Sequence, residues 1–333
     1  MDIKPIFITG VYRSGTTLVS RILNNHSTLN VTYDNVHFMR FCYNNFNPIT
    51  DPSNIEELLL NVKKRVDKRM EIEWDPYKIL STLKQTKQIN YAVLYNEIMR
   101  SLIQEAPNNR WGEKTMICWS KIPDFLSMFP KGKVIHVIRD TRDVLSSFKK
   151  VTNEPGLRYF DAIFTTLDSM EWAHKKGSKL PKNNYKIIKY EDLVNNPSNT
   201  IKDISSFLEI DYEESMLNNN FEHRVPHKKW QANTAYEDTF NGVSNISVGK
   251  YKEHLSKIEI FFAEMIARNM LGHYDYKLSG TWLTFDEWKE LYNLLSDKFI
   301  SKRFKYWLKT NKGVEEYPSP PPEVYREKGV EKI

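Results

Sequence analysis

A short apolar run stands at Ile6-Phe7-Ile8, a short β-branched run at Val134-Ile-His-Val-Ile138 and a third strand candidate at Tyr185-Lys-Ile-Ile-Lys-Tyr190. Their length and β-branched content predict strands, and the second reads as a buried parallel strand. Each is followed by apolar positions at helical spacing. Leu18, Val19, Ile22 and Leu23 follow the first, and Val144, Leu145 and Phe148 share one side of a helix over 140–150 after the second. Ile201, Ile204, Phe207 and Leu208 follow the third, with Asn196-Pro197-Ser198 as the helix start. Strands alternating with helices predict an α/β domain with a mostly parallel sheet.

Between the first two predicted strands lies a long helical stretch. Ile55, Leu58, Leu59, Val62 and Val66 line one face of its first helix, and Ile98, Met99, Leu102 and Ile103 line another. This insertion, about residues 50–108, is expected over the C-terminal edge of the sheet, where α/β proteins bind ligands. Beyond about 280, Phe285, Trp288, Leu291, Tyr292 and Leu295 form an amphipathic helix. The aromatic patch Phe304–Trp307 packs on the core or meets a partner, packing being the favoured reading. Tyr317-Pro-Ser-Pro-Pro-Pro322 reads as extended or disordered chain.

Composition narrows the class. With 333 residues and 40% hydrophobic content, one large domain with additions is expected. No stretch approaches the roughly 20 apolar residues of a membrane span, and the N-terminus runs straight into a strand, leaving no room for a signal peptide. The two cysteines, Cys42 and Cys118, give neither a disulfide framework nor a thiolate metal site, so a cytoplasmic location is expected. The formal charge of +6 fits a mildly basic surface or a site for anionic ligands. It does not single out nucleic acid, and no compact basic-aromatic repeat is present.

Gly10-Val-Tyr-Arg13-Ser14-Gly15-Thr16-Thr17 joins the first strand to the first helix, the setting of a P-loop. Backbone N–H groups and a helix N-terminus in such a loop bind an anion. The glycine spacing fits GxxxxGK[ST], but Thr16 stands in the lysine slot and the cation has moved into the loop as Arg13. A nucleoside triphosphatase uses that lysine on the β- and γ-phosphates. Its loss argues against ATP hydrolysis and leaves a cradle for a less charged group, such as a phosphosulfate. The alternative is a tight turn with capping hydroxyls.

Arg139 ends the second predicted strand, and Ser147 lies eight residues later. On a helix starting near Thr141, Ser147 falls on the second turn, where it could share a face with Arg139. A guanidinium and a hydroxyl converging there suit one phosphate. The alternative is a surface pairing of Arg139 with Asp140 or Asp143.

Together these motifs resemble the PAPS-dependent sulfotransferase superfamily, where PAPS is 3′-phosphoadenosine 5′-phosphosulfate. The first resembles its 5′-phosphosulfate loop, and Arg139 with Ser147 its 3′-phosphate motif. Trp111-Gly-Glu-Lys-Thr115, Phe129-Pro130, Tyr190-Glu-Asp-Leu193 and Ser247-Val-Gly-Lys250-Tyr251 are similar to later landmarks, with Tyr251 where the family has Trp. The resemblance spans about residues 5–255. It implies an α/β fold with a P-loop-type parallel sheet flanked by helices, to which the pattern above adds a helical insertion over the sheet edge and a C-terminal helical appendage. The expected division is a sulfotransferase catalytic domain over 1–278 and a C-terminal helical extension with a Pro-rich tail over 279–333.

The layout is closest to the tyrosylprotein sulfotransferases and their bacterial relatives. That resemblance implies catalytic roles for Arg13, for Lys114, 25 residues before Arg139, and for Asp34, 21 residues after Arg13 where the group has Glu. His37 is a neighbouring candidate base. The group's membrane anchor and disulfide pattern have no counterpart here. The resemblance implies PAPS as co-substrate and PAP, adenosine 3′,5′-bisphosphate, as product. Arg13, Ser14, Gly15, Thr16, Thr17, Arg139, Ser147, Tyr190, Ser247 and Lys250 would bind the nucleotide, and no metal is required. Tyr190 and Lys250 also read as a half-buried strand tyrosine and a surface lysine. Glu113 either positions Lys114 or is solvated, and His136 reads as a core residue. The acceptor carries a hydroxyl, on a glycan, lipid, phenol or peptide tyrosine, and a homodimer stays open. Rival functions are a P-loop kinase or triphosphatase and a non-catalytic anion-binding protein on the same fold.

Overall fold

The computed structural model describes residues 3–33, 35–70, 73–83, 88–103, 110–151, 156–218 and 243–315. Strand β1 (Ile6–Gly10) leads into helix α1 (Thr16–Asn24) and strand β2 (Leu29–Tyr33). The short α2 (Phe38–Phe41) precedes the insertion helices α3 (Pro52–Met70), α4 (Tyr77–Leu83) and α5 (Tyr91–Leu102). The chain returns through β3 (Arg110–Lys114), α6 (Ile122–Met128), β4 (Lys133–Ile138), α7 (Thr141–Val151), α8 (Asp161–Lys175) and β5 (Tyr185–Lys189). Helices α9 (Tyr190–Asn195), α10 (Pro197–Leu208), α11 (Tyr251–His254), α12 (Lys257–His273), α13 (Phe285–Ser296) and α14 (Lys298–Thr310) follow.

The five strands are parallel and ordered β2-β3-β1-β4-β5. Ile8 in the central strand registers with Lys114 on one side and Ile135 on the other. The chain builds one side of β1 first and the other afterwards. At such a reversal, α/β sheets bind ligands beyond the carboxyl ends of the strands, here those of β1 and its neighbours. Both faces of the sheet are covered. Ile6 and Ile8 pack with Val19, Ile22 and Leu23 of α1 and Ile201, Ile204 and Leu208 of α10. Phe7 points the other way and stacks on Phe125 at 5.0 Å. Burial on both sides explains why β1 and β4 read as largely apolar runs.

The three strands predicted from apolar runs are present, and β2 and β3 add two more. The insertion therefore separates β2 from β3. Tyr190 does not end a strand but opens α9. The insertion packs on β3 and on the chain leaving β2: Arg65 Nε donates to the Val36 carbonyl at 2.9 Å, and the Tyr95 hydroxyl donates to Glu113. Phe304 and Trp307 pack, with Phe304 against Phe262 at 5.9 Å and Trp307 stacked on Phe304 at 5.6 Å. The extension is fastened to the body. Arg303 grips buried Asp161 through two nitrogens at 2.7 and 3.1 Å, and the Val314 amide donates to the Phe164 carbonyl at 3.1 Å. The Pro-rich segment from Tyr317 lies outside the described residues.

Candidate functional site

The loop after β1 is shaped by two left-handed residues, Arg13 at φ 66° and Gly15 at φ 99°. Ser14 stabilises it from inside, its Oγ donating to the Val11 carbonyl at 2.8 Å. Both loop glycines are required by space. A Cβ on Gly10 would lie 2.5 Å from the Val137 carbonyl oxygen, and one on Gly15 would lie 2.4 Å from Cδ2 of Tyr190. Helix α1 starts at once with buried Thr16 and half-buried Thr17. The first N–H groups of a helix have no partner within it, so they point as donors from this end.

Arg13, Arg139, Ser147 and Tyr190 meet around this loop. Arg13 Nε donates to Ser147 Oγ at 2.9 Å. Arg139 donates one terminal nitrogen to the Arg13 carbonyl at 2.8 Å and the other to the Ser247 carbonyl at 2.5 Å. Its guanidinium carbon stands 4.2 Å from the centre of the Tyr190 ring. Arg139 Nε is buried with no hydrogen-bond partner, and an unsatisfied charged donor of this kind is expensive unless a ligand meets it. Asp140 and Asp143 do not pair with Arg139. Asp140 chelates Arg142 at 2.9 and 2.6 Å, and Arg142 also reaches Glu264 at 2.5 Å. Asp143 accepts the backbone amides of Gly249 at 2.7 Å and Tyr251 at 3.0 Å. It thereby holds the Ser247–Tyr251 turn against the start of α7.

Lys114 is fully buried at the end of β3. The chain beyond it stays beside β1, with the Thr115 amide on the Ile8 carbonyl and the Ile117 amide on the Gly10 carbonyl, each at 2.9 Å. Lys114 thus sits one strand away from the loop. Asp34 lies outside the described residues; it follows Tyr33, which registers with Lys114. His37 is buried, with its ring edge-on to Phe41. Ser247 enters the cluster through its carbonyl. Lys250 turns away to Glu253 at 2.8 and 3.0 Å.

Glu113 is not solvated. It is fully buried, with one oxygen on Tyr95 and the other without a hydrogen-bond partner. Burial pushes its carboxyl up to about 7. His136 is a core residue, bonded to the Tyr185 hydroxyl and Ser169 Oγ at 2.8 Å each. Burial holds it down to about 3, so it stays neutral.

Sequence reading missed the brace around Arg139. Glu191 accepts the Asp140 amide at 3.0 Å and the Tyr276 hydroxyl at 2.7 Å, tying the ends of β4 and β5 together. The available signal was the density of charge in Arg139-Asp-Thr-Arg-Asp143, directly after a buried strand. Charges in such a place need partners.

The chain belongs to the sulfotransferase family, whose model matches residues 5–214. No curated protein matches it at a significant level. Among solved structures, the sulfotransferase domain from the curacin biosynthetic pathway is similar at 18% identity and a TM-score of 0.56, over 83% of this chain and 99% of that one. The sulfotransferase domain of the Synechococcus PCC 7002 olefin synthase is similar at 17% identity and a TM-score of 0.45, over 89% and 96%. Retinol dehydratase, solved with retinol and PAP, is similar at 16% identity and a TM-score of 0.43, over 86% and 84%. The first similarity is one of fold.

Proposed function

We propose that this sulfotransferase takes its sulfuryl group from PAPS and delivers it to an acceptor hydroxyl. The observation that carries the reading is the Arg13–Ser147–Arg139–Tyr190 cluster around a glycine loop at a helix N-terminus. It offers two guanidiniums, a hydroxyl and an aromatic face at the carboxyl ends of β1, β4 and β5. The buried unpartnered Nε of Arg139 fits an anionic ligand. In this reading Arg139 and Ser147 hold the 3′-phosphate, and Tyr190 lies against the nucleotide. The loop amides with Ser14, Gly15, Thr16 and Thr17 hold the 5′ side, and the Ser247–Lys250 turn closes over it.

The acceptor oxygen attacks sulfur in line. The new O–S bond forms as the bond from sulfur to the phosphate oxygen breaks, and PAP leaves. Arg13 and Lys114 stabilise the charge growing on that oxygen, as fixed cations do in phosphoryl transfer. Asp34 receives the acceptor proton, a contribution of about 10²–10⁴ for a positioned base. Residues 1–278 form the catalytic domain and 279–333 its extension. No helix among the described residues is long and apolar enough to cross a membrane. The two cysteines are free and buried, which supports a reducing cytoplasm as the site of action.

Titration calorimetry with PAP tests the nucleotide claim. Arg139→Ala removes a charged donor from a buried site, a change of about 2–5 kcal/mol for such pairs. The expected loss of affinity is therefore about 30-fold or more. Equal affinity in the variant and the parent would remove Arg139 from the site.

A further inference from the structure

The family match ends at residue 214, and nothing in the proposed chemistry uses the outer faces of α13 and α14. Those faces have an unusual composition. Just before and along α13, Trp282 is 86% exposed, Phe285 76%, Trp288 50% and Tyr292 72%. On a helix with 3.6 residues per turn, Phe285, Trp288 and Tyr292 form one stripe, and with Lys289 and Asn293 they line a shallow open groove. Leu291 is the buried residue of this helix, and half-exposed Trp288 meets Phe261 edge-on at 5.3 Å, so Phe285 and Tyr292 are the rings that face outward. Two acidic side chains are already paired, Asp286 with Lys289 at 3.3 Å and Glu287 with Lys257 at 3.4 Å. Glu287 closes the N-terminal capping box with Thr284, and Asp286 and Glu290 fall on the opposite flank from Trp288.

Helix α14 carries a second stripe. Lys298, Lys302, Lys305 and Lys309 recur at i, i+4, i+7 and i+11, and all four are exposed. At about 100° per residue they share an arc of roughly 60°. The other side of the helix holds buried Ile300 and the packed rings of Phe304 and Trp307. Leu308, 62% exposed, and Tyr306, 43% exposed, flank the lysines. From Lys277 to Lys312 the chain has eight Lys and Arg against four Asp and Glu, or 8 − 4 = +4 of the total +6.

We propose that the α13–α14 hairpin docks the enzyme on an anionic lipid surface, with the lysine stripe against the headgroups and the aromatic stripe at their level. Charge complementarity selects an anionic partner. The exposed indole, phenol and phenyl rings select a bilayer over an acidic protein, because amphipathic aromatics beside lysines are the composition of interfacial helices. Buried Leu291 and the edge-on contact of Trp288 with Phe261 at 5.3 Å hold α13 on the body, and the Arg303–Asp161 pair holds α14. Docking therefore needs no ordering of new structure.

Co-sedimentation of the full chain with vesicles tests this. The probes are phosphatidylcholine and phosphatidylserine in equal parts, against phosphatidylcholine alone. Each lysine near an anionic surface strengthens association about fivefold, so four compound to several hundredfold, about 600. The chain is expected to sediment with the anionic vesicles and not with the neutral ones. The quadruple variant Lys298→Glu, Lys302→Glu, Lys305→Glu, Lys309→Glu should lose that binding, and the triple variant Trp282→Ser, Phe285→Ser, Tyr292→Ser should weaken it about tenfold or more. Both should keep the parent's thermal shift with PAP, which shows them folded. Equal binding to neutral vesicles, no binding to anionic ones, or unchanged binding by the lysine variant would overturn the proposal. So would binding to polyglutamate but not to vesicles, which would make the partner an acidic protein. Concentration-dependent dimerisation abolished by the triple variant, without vesicle binding, would overturn it as well, by making the stripe a subunit interface.

Discussion

Gly15→Ala is a small change with a calculable effect. Two separate penalties act at this position. The backbone sits at φ 99°, where a side chain is strained, and the left-handed region disfavours an L-residue by about 1–2 kcal/mol. The added methyl would also stand 2.4 Å from Cδ2 of Tyr190. That ring cannot swing aside cheaply, because it is 7% exposed and lies beneath Arg139. Overpacking of this kind adds about 1–3 kcal/mol. The sum is about 2–5 kcal/mol. At about 2.1 cal/mol/K of unfolding entropy per residue, a chain of this length loses about 1.4 °C of Tm per kcal/mol, so the expected fall is about 3–7 °C. Displacing Tyr190 also removes the face on which Arg139 rests, an interaction of about 0.5–2 kcal/mol. PAP affinity should drop about 2- to 30-fold in calorimetry. Repeating the substitution in a Tyr190→Ala background separates the penalties. There the clash is gone, and only the backbone share of about 1–2 kcal/mol should remain. If Gly15→Ala matches the parent in Tm and PAP affinity, the loop does not have the geometry described.

Glu113→Gln should change how stability depends on pH. The native carboxyl is raised to about 7 from 4.5. The folded state therefore binds more protons between those values, and stability falls as pH rises through that window before levelling off above 7. The loss is about 3 kcal/mol across the window. Glutamine lacks the titration, so the parent's Tm should decline relative to the variant's from pH 5 to pH 8; parallel profiles would contradict the assignment. Asp143→Ala leaves the Gly249 and Tyr251 amides without their acceptor, at about 1–3 kcal/mol each. It should lower Tm and, by releasing the turn that carries the Ser247 carbonyl, weaken PAP binding. A stability loss with unchanged PAP affinity would show that the turn is scaffolding only.

The sequence displays most of the candidate site because its parts are local. Gly10–Thr17 is a single contiguous loop, and Arg139 with Ser147 are joined by one strand end and one helix, so spacing alone brings them near each other. β1 and β4 were legible because burial on both faces makes them largely apolar. β3, Arg110-Trp-Gly-Glu-Lys114, carries three charges and a glycine, residues that strands usually avoid. It is held by distant partners: Arg110 donates to the Lys4 and Leu208 carbonyls, and Glu113 takes the Tyr95 hydroxyl from the insertion. No local pattern encodes such contacts. The same holds for the link between Arg13 and Ser147, 134 residues apart, and for Glu191, which joins two strand ends through Tyr276. Periodicity identified α13 as amphipathic but did not say which of its rings would be covered. Leu291 is buried, while Phe285 and Tyr292 face outward.

The proposed ligand of the loop Gly10–Thr17 is a 3′-phosphorylated nucleotide and not a triphosphate. Thermal unfolding with PAP, with AMP and with Mg²⁺–ATP tests it most directly. A ligand at 100 times its Kd adds about 2.7 kcal/mol, which for this chain is a rise of about 4 °C. That rise is expected with PAP, a much smaller one with AMP, which lacks the 3′-phosphate, and none with Mg²⁺–ATP. A rise with Mg²⁺–ATP and none with PAP would contradict it.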